Sequence, residues 1–259
     1  MKLAVVGKGG VGKTSISGTL ARLLARRGHD VLAIDGDPNP NLALALGVTP
    51  AEMAAMPGLT SDLLEQTPTG WRLTKTLEQL RDEYSVPAPD DVALLAVRPP
   101  KTAGTGCLGA QHATVRNVVH VAAEAPGDIC LLDIEASLEH FRQNKAIEAD
   151  TMLVVVEPYF KSLETGRRMI RLGKQLKPKR LVLVANKVWD KRSRDAVERL
   201  ADEEDVEVAG AVPHDVRMLE ADLACSALLD YDAEAPSVEA IHALADELLT
   251  ADAATTPAP

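Results

Sequence analysis

The sequence predicts an α/β fold: a doubly wound, mostly parallel sheet of about seven strands with helices on both faces. Short, continuous apolar runs alternate with stretches in which apolar residues recur at helical spacing. Such runs are typical of parallel strands that are buried on both faces. No internal repeat or linker interrupts the alternation, so we expect one domain over residues 1–250 and a flexible tail at 251–259.

The first strand, at residues 3–6, leads into a glycine-rich loop and then into a helical pattern. The loop matches the phosphate-binding pattern G-x-x-x-x-G-K-[ST] and reads Gly7-Lys8-Gly9-Gly10-Val11-Gly12-Lys13-Thr14-Ser15. Glycines let backbone N–H groups approach phosphate oxygens, and a helix N-terminus favours an anion. We therefore expect residues 9–15 to bind a nucleoside triphosphate, with Lys13 at the β- and γ-phosphates and the Thr14 hydroxyl on Mg²⁺.

A second apolar run, at residues 31–34, ends in Asp35-Gly36-Asp37. Parallel strands of such sheets place ligand-binding groups at their carboxyl ends, so we expect Asp37 near the γ-phosphate. Asp35 is expected to support Mg²⁺ through water or to shape the loop. The alternative is an Asx-type turn, which the Asp, Asn and Pro residues there also favour. Residues 42–91 are expected to form a helical insertion between strands.

Two more apolar runs, at residues 92–97 and 129–132, lead to polar groups. The first opens a Gly/Pro-rich loop that carries Cys107 just before a helical pattern, where a thiolate is favoured. The second ends in Asp133, a Walker B arrangement that can hold Mg²⁺ through water. A switch segment is expected at residues 134–141.

The carboxyl half of the chain supplies candidate base-binding residues. After a strand at residues 151–156, the run at 181–185 leads to Asn186 and Lys187. An asparagine amide can donate and accept at the adenine edge, and the Lys187 stem can cover the base. The spacing Asn-Lys-x-x-Asp is one residue longer than the guanine-specific Asn-Lys-x-Asp and favours adenine. A last strand at 206–212 and a terminal helix complete the pattern.

The composition excludes several classes of partner. The formal net charge is −10, from 28 basic and 38 acidic residues, which argues against a nucleic-acid surface and against an anionic membrane. No leader pattern precedes the first strand, and no run reaches the ~18 apolar residues of a spanning helix. Three widely spaced cysteines indicate a reducing compartment, so we expect a cytoplasmic protein.

The position of Lys8 in the opening loop resembles the deviant P-loop of the MinD/ParA/nitrogenase iron protein ATPases. That resemblance implies an ATP-sandwich homodimer in which Lys8 reaches the partner's nucleotide and Asp37 orients the attacking water. Pro213-His214-Asp215 likewise resembles the family loop that packs on the base. The resemblance thus implies ATP hydrolysis by a catalytic set consisting of Lys8, Lys13, Asp37 and Asp133.

Longer segments are similar to the CooC-like ATPases that mature carbon monoxide dehydrogenase. They lie at residues 7–15, 33–47, 131–141, 149–166 and 185–190. The similarity implies ATP-dependent insertion of nickel into a client metalloenzyme. Two alternatives within the wider group are a MinD/ParA-like spatial positioning ATPase and an iron-protein-like reductase with a cluster that bridges two subunits.

The metal-binding loop departs from these families. CooC-like proteins carry Cys-x-Cys there, whereas this chain has Cys107-Leu108-Gly109, and the iron protein's second ligand cysteine has no counterpart. One cysteine per subunit places two on a dimer axis, which is too few for a four-cysteine cluster. Two Cys107 thiolates, with two His140 side chains, would instead suit a nickel or zinc ion at the dimer interface.

Overall fold

The computed structural model of the chain describes residues 1–37, 40–68, 70–97, 113–114, 117–118, 120–121, 129–134 and 149–255. Its strands are β1 (Lys2–Gly7), β2 (Val31–Asp35), β3 (Leu64–Thr67), β4 (Gly70–Leu73), β5 (Val86–Ala88), β6 (Val92–Ala96), β7 (Ile129–Asp133), β8 (Thr151–Val156), β9 (Arg180–Val188) and β10 (Glu207–Pro213). The helices with defined bounds are α1 (Lys13–Arg26), α2 (Leu42–Leu46), α3 (Pro50–Ala55), α4 (Leu77–Tyr84), α5 (Phe160–Leu176), α6 (Lys191–Glu203), α7 (Val216–Leu223), α8 (Leu228–Tyr231) and α9 (Pro236–Thr255). Short 3₁₀ turns lie at Ser61–Leu63 and Pro89–Asp91.

The central sheet of the described chain has the strand order β10-β9-β8-β1-β7-β2-β6-β5. Every neighbouring pair is parallel except β5 and β6, so the predicted doubly wound fold is confirmed with eight strands. The chain continues from β1 toward β2 and β6 on one side, and later toward β8, β9 and β10 on the other. The loop after β1 therefore lies at the switch point where such sheets bind ligands.

Two apolar layers cover the sheet. Leu3 and Val5 of β1 face the layer that α1 and α9 contribute, whereas Ala4 and Val6 face the layer of α5 and α6. This alternation follows from the two-residue period of a strand. The buried apolar side chains of the described residues are aliphatic, with methionine and Cys130, which agrees with the low aromatic content of the sequence.

The helical insertion that the sequence predicts at residues 42–91 is only partly helical. The segment holds α2, α3 and α4, but also the antiparallel hairpin β3–β4 and the edge strand β5. The hairpin turns at Pro68 and Gly70, and Gly70 has a φ of 137°. Proline and glycine mark such turns, a signal that outweighs the apolar spacing around them. β5 has Pro87 at its centre, which suits an edge position because proline has no N–H to donate.

The terminal helix is longer than predicted. α9 ends at Thr255, so residues 251–255, which we expected to be a flexible tail, are helical. Three alanines in this stretch favour the helix, since alanine has the highest helix propensity. Residues 256–259 lie outside the described part of the chain.

Candidate functional site

The glycine-rich loop after β1 adopts a conformation that requires its glycines. Gly10 and Gly12 have φ angles of 79° and 90°, which side chains disfavour. A Cβ atom on Gly12 would also lie 2.3 Å from the amide nitrogen of Asn186. Helix α1 begins at Lys13 with no side-chain cap, so its first N–H groups remain available to an anion. The predicted phosphate loop therefore has the geometry of an anion-binding site.

Lys13 and Asp37 lie together, as the sequence predicts. The Lys13 side chain is buried, and its Nζ is 3.2 Å from Asp37 Oδ2. Asp37 follows β2, and its backbone N–H donates a 3.1 Å hydrogen bond to Asp35 Oδ1. Asp37 is thus the counter-ion of the Lys13 ammonium. It lies on the segment that we predict to be near the γ-phosphate.

Asp35 and Asp133 are adjacent, because they are paired in register on β2 and β7. Asp35 is buried, and it accepts hydrogen bonds from the backbone N–H groups of Asp37 and Leu42. Burial raises the pKa of Asp35 to about 7, and the nearby carboxylate of Asp133 pushes it in the same direction. Asp35 therefore fixes the backbone on both sides of the loop after β2 rather than facing open space.

Asp133 is a buried carboxylate whose oxygen atoms are available to a cation or its waters. Burial raises the pKa of Asp133, although Lys13 and the hydroxyls of Thr14 and Ser17 oppose that shift. Neither carboxylate oxygen of Asp133, nor Ser17 Oγ, has a hydrogen-bond partner of normal geometry within the described residues. Oxygen ligands of this kind suit Mg²⁺ and its waters. Thr14 and Asp133 are therefore residues whose oxygen atoms would suit the ion, and their roles as ligands stay a prediction.

A chain of polar contacts surrounds the mouth of the phosphate loop. Lys8 Nζ lies 3.4 Å from Tyr159 Oη and 5.4 Å from the centre of the tyrosine ring. A hydrogen bond with Glu157 raises the pKa of Tyr159, and Glu157 forms a 2.5 Å ion pair with Lys187. Lys187 Nζ also donates to the Gly10 carbonyl at 3.2 Å. Lys8 and Lys187 are therefore linked through Tyr159 and Glu157, which lie just after β8.

The sequence prediction missed Glu157 and Tyr159. Glu157 follows the fully buried strand β8, and Asp133 is likewise the last residue of the fully buried strand β7. That pattern was available as a signal, because the carboxyl ends of parallel strands meet at the ligand-binding edge.

Asn186, near the end of β9, supports the phosphate loop through a hydrogen bond. It is fully buried, its Nδ2 donates to the Val11 carbonyl at 2.7 Å, and its Oδ1 accepts from the Lys187 N–H at 2.9 Å. A carboxamide has a second N–H and a second lone pair. Contact of Asn186 and Lys187 with an adenine base stays a prediction.

Pro213 and Asp215 occupy the end of β10 and the start of α7. Asp215 caps α7 by accepting from the Arg217 N–H, and its other oxygen accepts from both the N–H and the hydroxyl of Ser237. Burial pushes the pKa of Asp215 upward, but these hydrogen bonds lower it overall. Asp215 thus holds α7 against α9, and the predicted contact of this loop with the base stays untested.

A cavity of about 430 Å³ opens beside the start of α1. Thr14 and Ser15 line one wall, residues of α2 and the turn after it line another, and Met218 and Asp222 of α7 line a third. The volume lies within the ordinary range for small-molecule sites.

The predicted metal-binding residues Cys107 and His140 lie outside the described residues. Within the described ranges, no group of three or more histidine, cysteine or acidic side chains is placed to hold a metal ion. Of the helices described, none combines the length and the apolar character that crossing a bilayer demands.

Comparison with known families decides the affiliation of the chain. Residues 3–225 match the model of the CobQ/CobB/MinD/ParA nucleotide binding domain. The protein belongs to this family. Members of the MinD/ParA family are P-loop ATPases, and this protein is an ATPase of that kind, with ATP and Mg²⁺ as its nucleotide and ion.

Individual relatives place this MinD/ParA-family ATPase more closely. It is 33% identical over 258 residues to the carbon monoxide dehydrogenase accessory protein CooC of Rhodospirillum rubrum, covering 96% of each chain. It is also 33% identical over 232 residues to an uncharacterized ATP-binding protein of Methanocaldococcus jannaschii, covering 86% of this chain and 88% of the other. The MinC:MinD cell division complex of Aquifex aeolicus has a similar fold, with a TM-score of 0.67 at 21% identity and coverage of 100% and 98%.

Proposed function

We propose that this protein is a homodimeric, ATP-driven switch that serves as a maturation factor or metallochaperone for a metalloenzyme. The observation that carries the proposal is the 33% identity to CooC along 96% of both chains. The proposal is supported by the intact phosphate loop, by the Lys13–Asp37 pair and by the buried Asp133.

Arrival of ATP would change the partner of Lys13. The Lys13 ammonium, now paired with Asp37, would turn to the β- and γ-phosphates, which offer a larger negative charge. Asp37 would then be released to orient the attacking water at the γ-phosphate. Bound Mg²⁺ neutralises charge on the phosphate oxygens, and Asp133 and Thr14 are the residues that would hold it.

The same event would draw two copies together. Lys8, which lies against Tyr159 in the single chain, would cross to the nucleotide of the partner subunit. Loss of the γ-phosphate after hydrolysis would remove that attraction and reopen the dimer. The cargo in this proposal is a nickel or zinc ion held by the two Cys107 thiolates of the dimer and delivered to the client enzyme.

The dimer is tested by Lys8→Ala. We expect loss of ATP hydrolysis and of ATP-dependent dimerisation, with nucleotide binding largely retained, because the other loop contacts remain. Phosphate release and sedimentation with a slowly hydrolysed ATP analogue measure both properties. Lys161→Ala, at an exposed lysine near the start of α5, is the matched control. Full hydrolysis by the Lys8 variant would contradict the proposed sandwich.

The metal role is tested by Cys107→Ala, with Cys225→Ala as the control, because Cys225 is a cysteine that the structure shows to be exposed. Metal analysis after incubation with nickel or zinc and the ATP analogue should give about one ion per dimer for the control and none for Cys107→Ala. Equal metal content in both variants would contradict the proposal that Cys107 holds a metal ion. Co-sedimentation with anionic liposomes or with DNA would instead favour the positioning ATPase, and an anaerobic cluster absorption band would favour the reductase.

A further inference from the structure

The outer face of α7 is an apolar stripe that no described part of the chain covers. Val216, Leu219 and Leu223 are 56, 59 and 76% exposed, and they recur at positions i, i+3 and i+7 of the helix. Ala221, on the opposite side, is buried. Single exposed leucines are ordinary, but three on one face of an eight-residue helix form a docking pattern.

The rim of this stripe is acidic. Residues 215–234 contain six acidic residues and one arginine, a net charge of −5. Arg22 of α1 pairs with one of these carboxylates, Asp230. Arg217 is neutralised by a 2.7 Å ion pair with Asp232. Glu220, Asp222 and Glu234 are exposed and form no ion pair with described residues. Their charge is therefore free to attract a cation.

We propose that the α7 stripe binds an amphipathic helix of a partner protein, with leucine-like side chains on the stripe and lysine or arginine residues along both flanks. Helices dock in this way through anchors at i, i+3 and i+7. A second copy of the chain would bring its own acidic rim against this one, and an anionic membrane would be repelled in the same way. A basic partner is attracted by the same charges. This proposal does not depend on the metal-maturation role.

The docking surface is connected to the nucleotide site. α7 begins three residues after Pro213, and its residues Met218, Ala221 and Asp222 line the cavity that Thr14 and Ser15 also line. A helix bound outside would stabilise that wall against movement. Because coupling between two binding equilibria is reciprocal, nucleotide should change the affinity for the partner, and the partner should change the affinity for nucleotide by the same factor.

The test uses the full chain and two synthetic helical peptides, one of leucine and lysine and one of leucine and glutamate. Fluorescence anisotropy at physiological salt measures their binding with and without Mg-ADP. The variants are Leu219→Ser with Leu223→Ser, which removes the stripe, and Glu220→Lys with Glu234→Lys, which reverses the rim. Trp71→Ser removes an exposed apolar side chain elsewhere, on the β3–β4 hairpin, and is the control.

We expect the leucine–lysine peptide to bind the wild-type protein and the control. Each double variant should lose about tenfold or more in affinity. The leucine–glutamate peptide should not bind, and Mg-ADP should shift the wild-type affinity. Circular dichroism and thermal unfolding check that the variants are folded, as exposed positions should allow. Equal binding by all variants would overturn the proposal, as would binding of the acidic peptide. Concentration-dependent dimerisation lost only in the Leu219/Leu223 variant would show that a second copy covers the stripe instead.

Discussion

Two carboxylates side by side in the sheet dominate the chemistry at the scale of single residues. Asp35 and Asp133 lie one strand apart with 1% of each exposed, and both have a pKa above the ordinary range because of burial. Two buried acids this close are costly in the absence of a cation. Their placement makes sense for a site that receives Mg²⁺, and it makes the nucleotide-free protein sensitive to pH.

The sign of that sensitivity follows from Asp35. Its pKa is about 7 when folded and 3.8 in the ordinary state, so the folded protein binds more protons between these values. The stabilising contribution of the neutral group is complete below about pH 4 and is lost as the pH rises through about 7. Raising the pH from 5 to 8 should therefore lower the free energy of unfolding of the wild type relative to that of Asp35→Asn. The difference should change in favour of the variant by an amount on the order of a few kcal/mol.

Urea unfolding of the nucleotide-free protein at both pH values measures this difference. Asp202→Asn, at an exposed position of α6, is the control. The same difference in free energy of unfolding between Asp35→Asn and wild type at both pH values would contradict the raised pKa of Asp35. Excess Mg-ADP should reduce the difference, because the cation stabilises the charged carboxylates.

At the scale of elements, the contact between α1 and α2 positions the loop that carries Asp37. A Cβ on Gly18 of α1 would lie 2.7 Å from the backbone carbonyl of Ala45 in α2. The first residue of α2, Leu42, donates its N–H to Asp35 at 2.8 Å. Gly18 therefore allows a close approach that holds the loop carrying Asp37 in position.

Gly18→Ala should destabilise the protein by about 1–3 kcal/mol despite its better helix propensity, since backbone atoms cannot give way. It should also reduce ATP hydrolysis. Gly173→Ala in α5 gains the same propensity but meets the flexible ends of Met152 and Leu181, so its cost should be small. Guanidinium unfolding and phosphate release compare the two variants. Equal stability of both would show that α2 adapts freely.

The elements around the phosphate loop show which parts of the site can be predicted from the sequence. Asp35, Asp133 and the glycine loop follow uninterrupted apolar runs, so strand, loop and chemistry are encoded within a few neighbouring residues. The Lys187–Glu157 ion pair joins segments that are distant along the chain, and no local pattern specifies their contact. Likewise, Asp215 belongs to a loop that resembles the family's base-packing loop, yet only the packing of α9 shows that Ser237 donates to one of the Asp215 oxygens.

A buried arginine joins distant parts of the chain at the scale of the whole molecule. Arg22 of α1 is 2% exposed and donates two 2.7 Å hydrogen bonds to Asp230 of α8 and one of 2.6 Å to Asp90. Burial pushes the pKa of Asp90 upward, but the bonds from Arg26 and Arg22 lower it overall. The helix that starts at the phosphate loop is thereby fixed to the end of the insertion and to the segment after α7.

Arg22→Leu should cost about 3 kcal/mol, because it removes the arginine partner of Asp230 and leaves Asp90 with Arg26 alone. The Arg26 side chain is exposed and, among the described residues, forms an ion pair with Asp90 alone, so Arg26→Leu should cost less than about 1 kcal/mol. Thermal and chemical unfolding of the two variants provide the comparison. Similar losses for both would mean that the network contributes through exposed charge alone.

The two edges of the sheet have a consequence for how copies of the protein meet. At one edge, Pro87 interrupts the three-residue strand β5, and at the other, β10 has register irregularities near Gly210 and Pro213. Neither edge offers a regular backbone ladder, so fibrous growth by strand addition is discouraged. In the proposed dimer, two copies would therefore meet through side chains and nucleotide rather than through paired strands, so that the contact can be undone at every turnover.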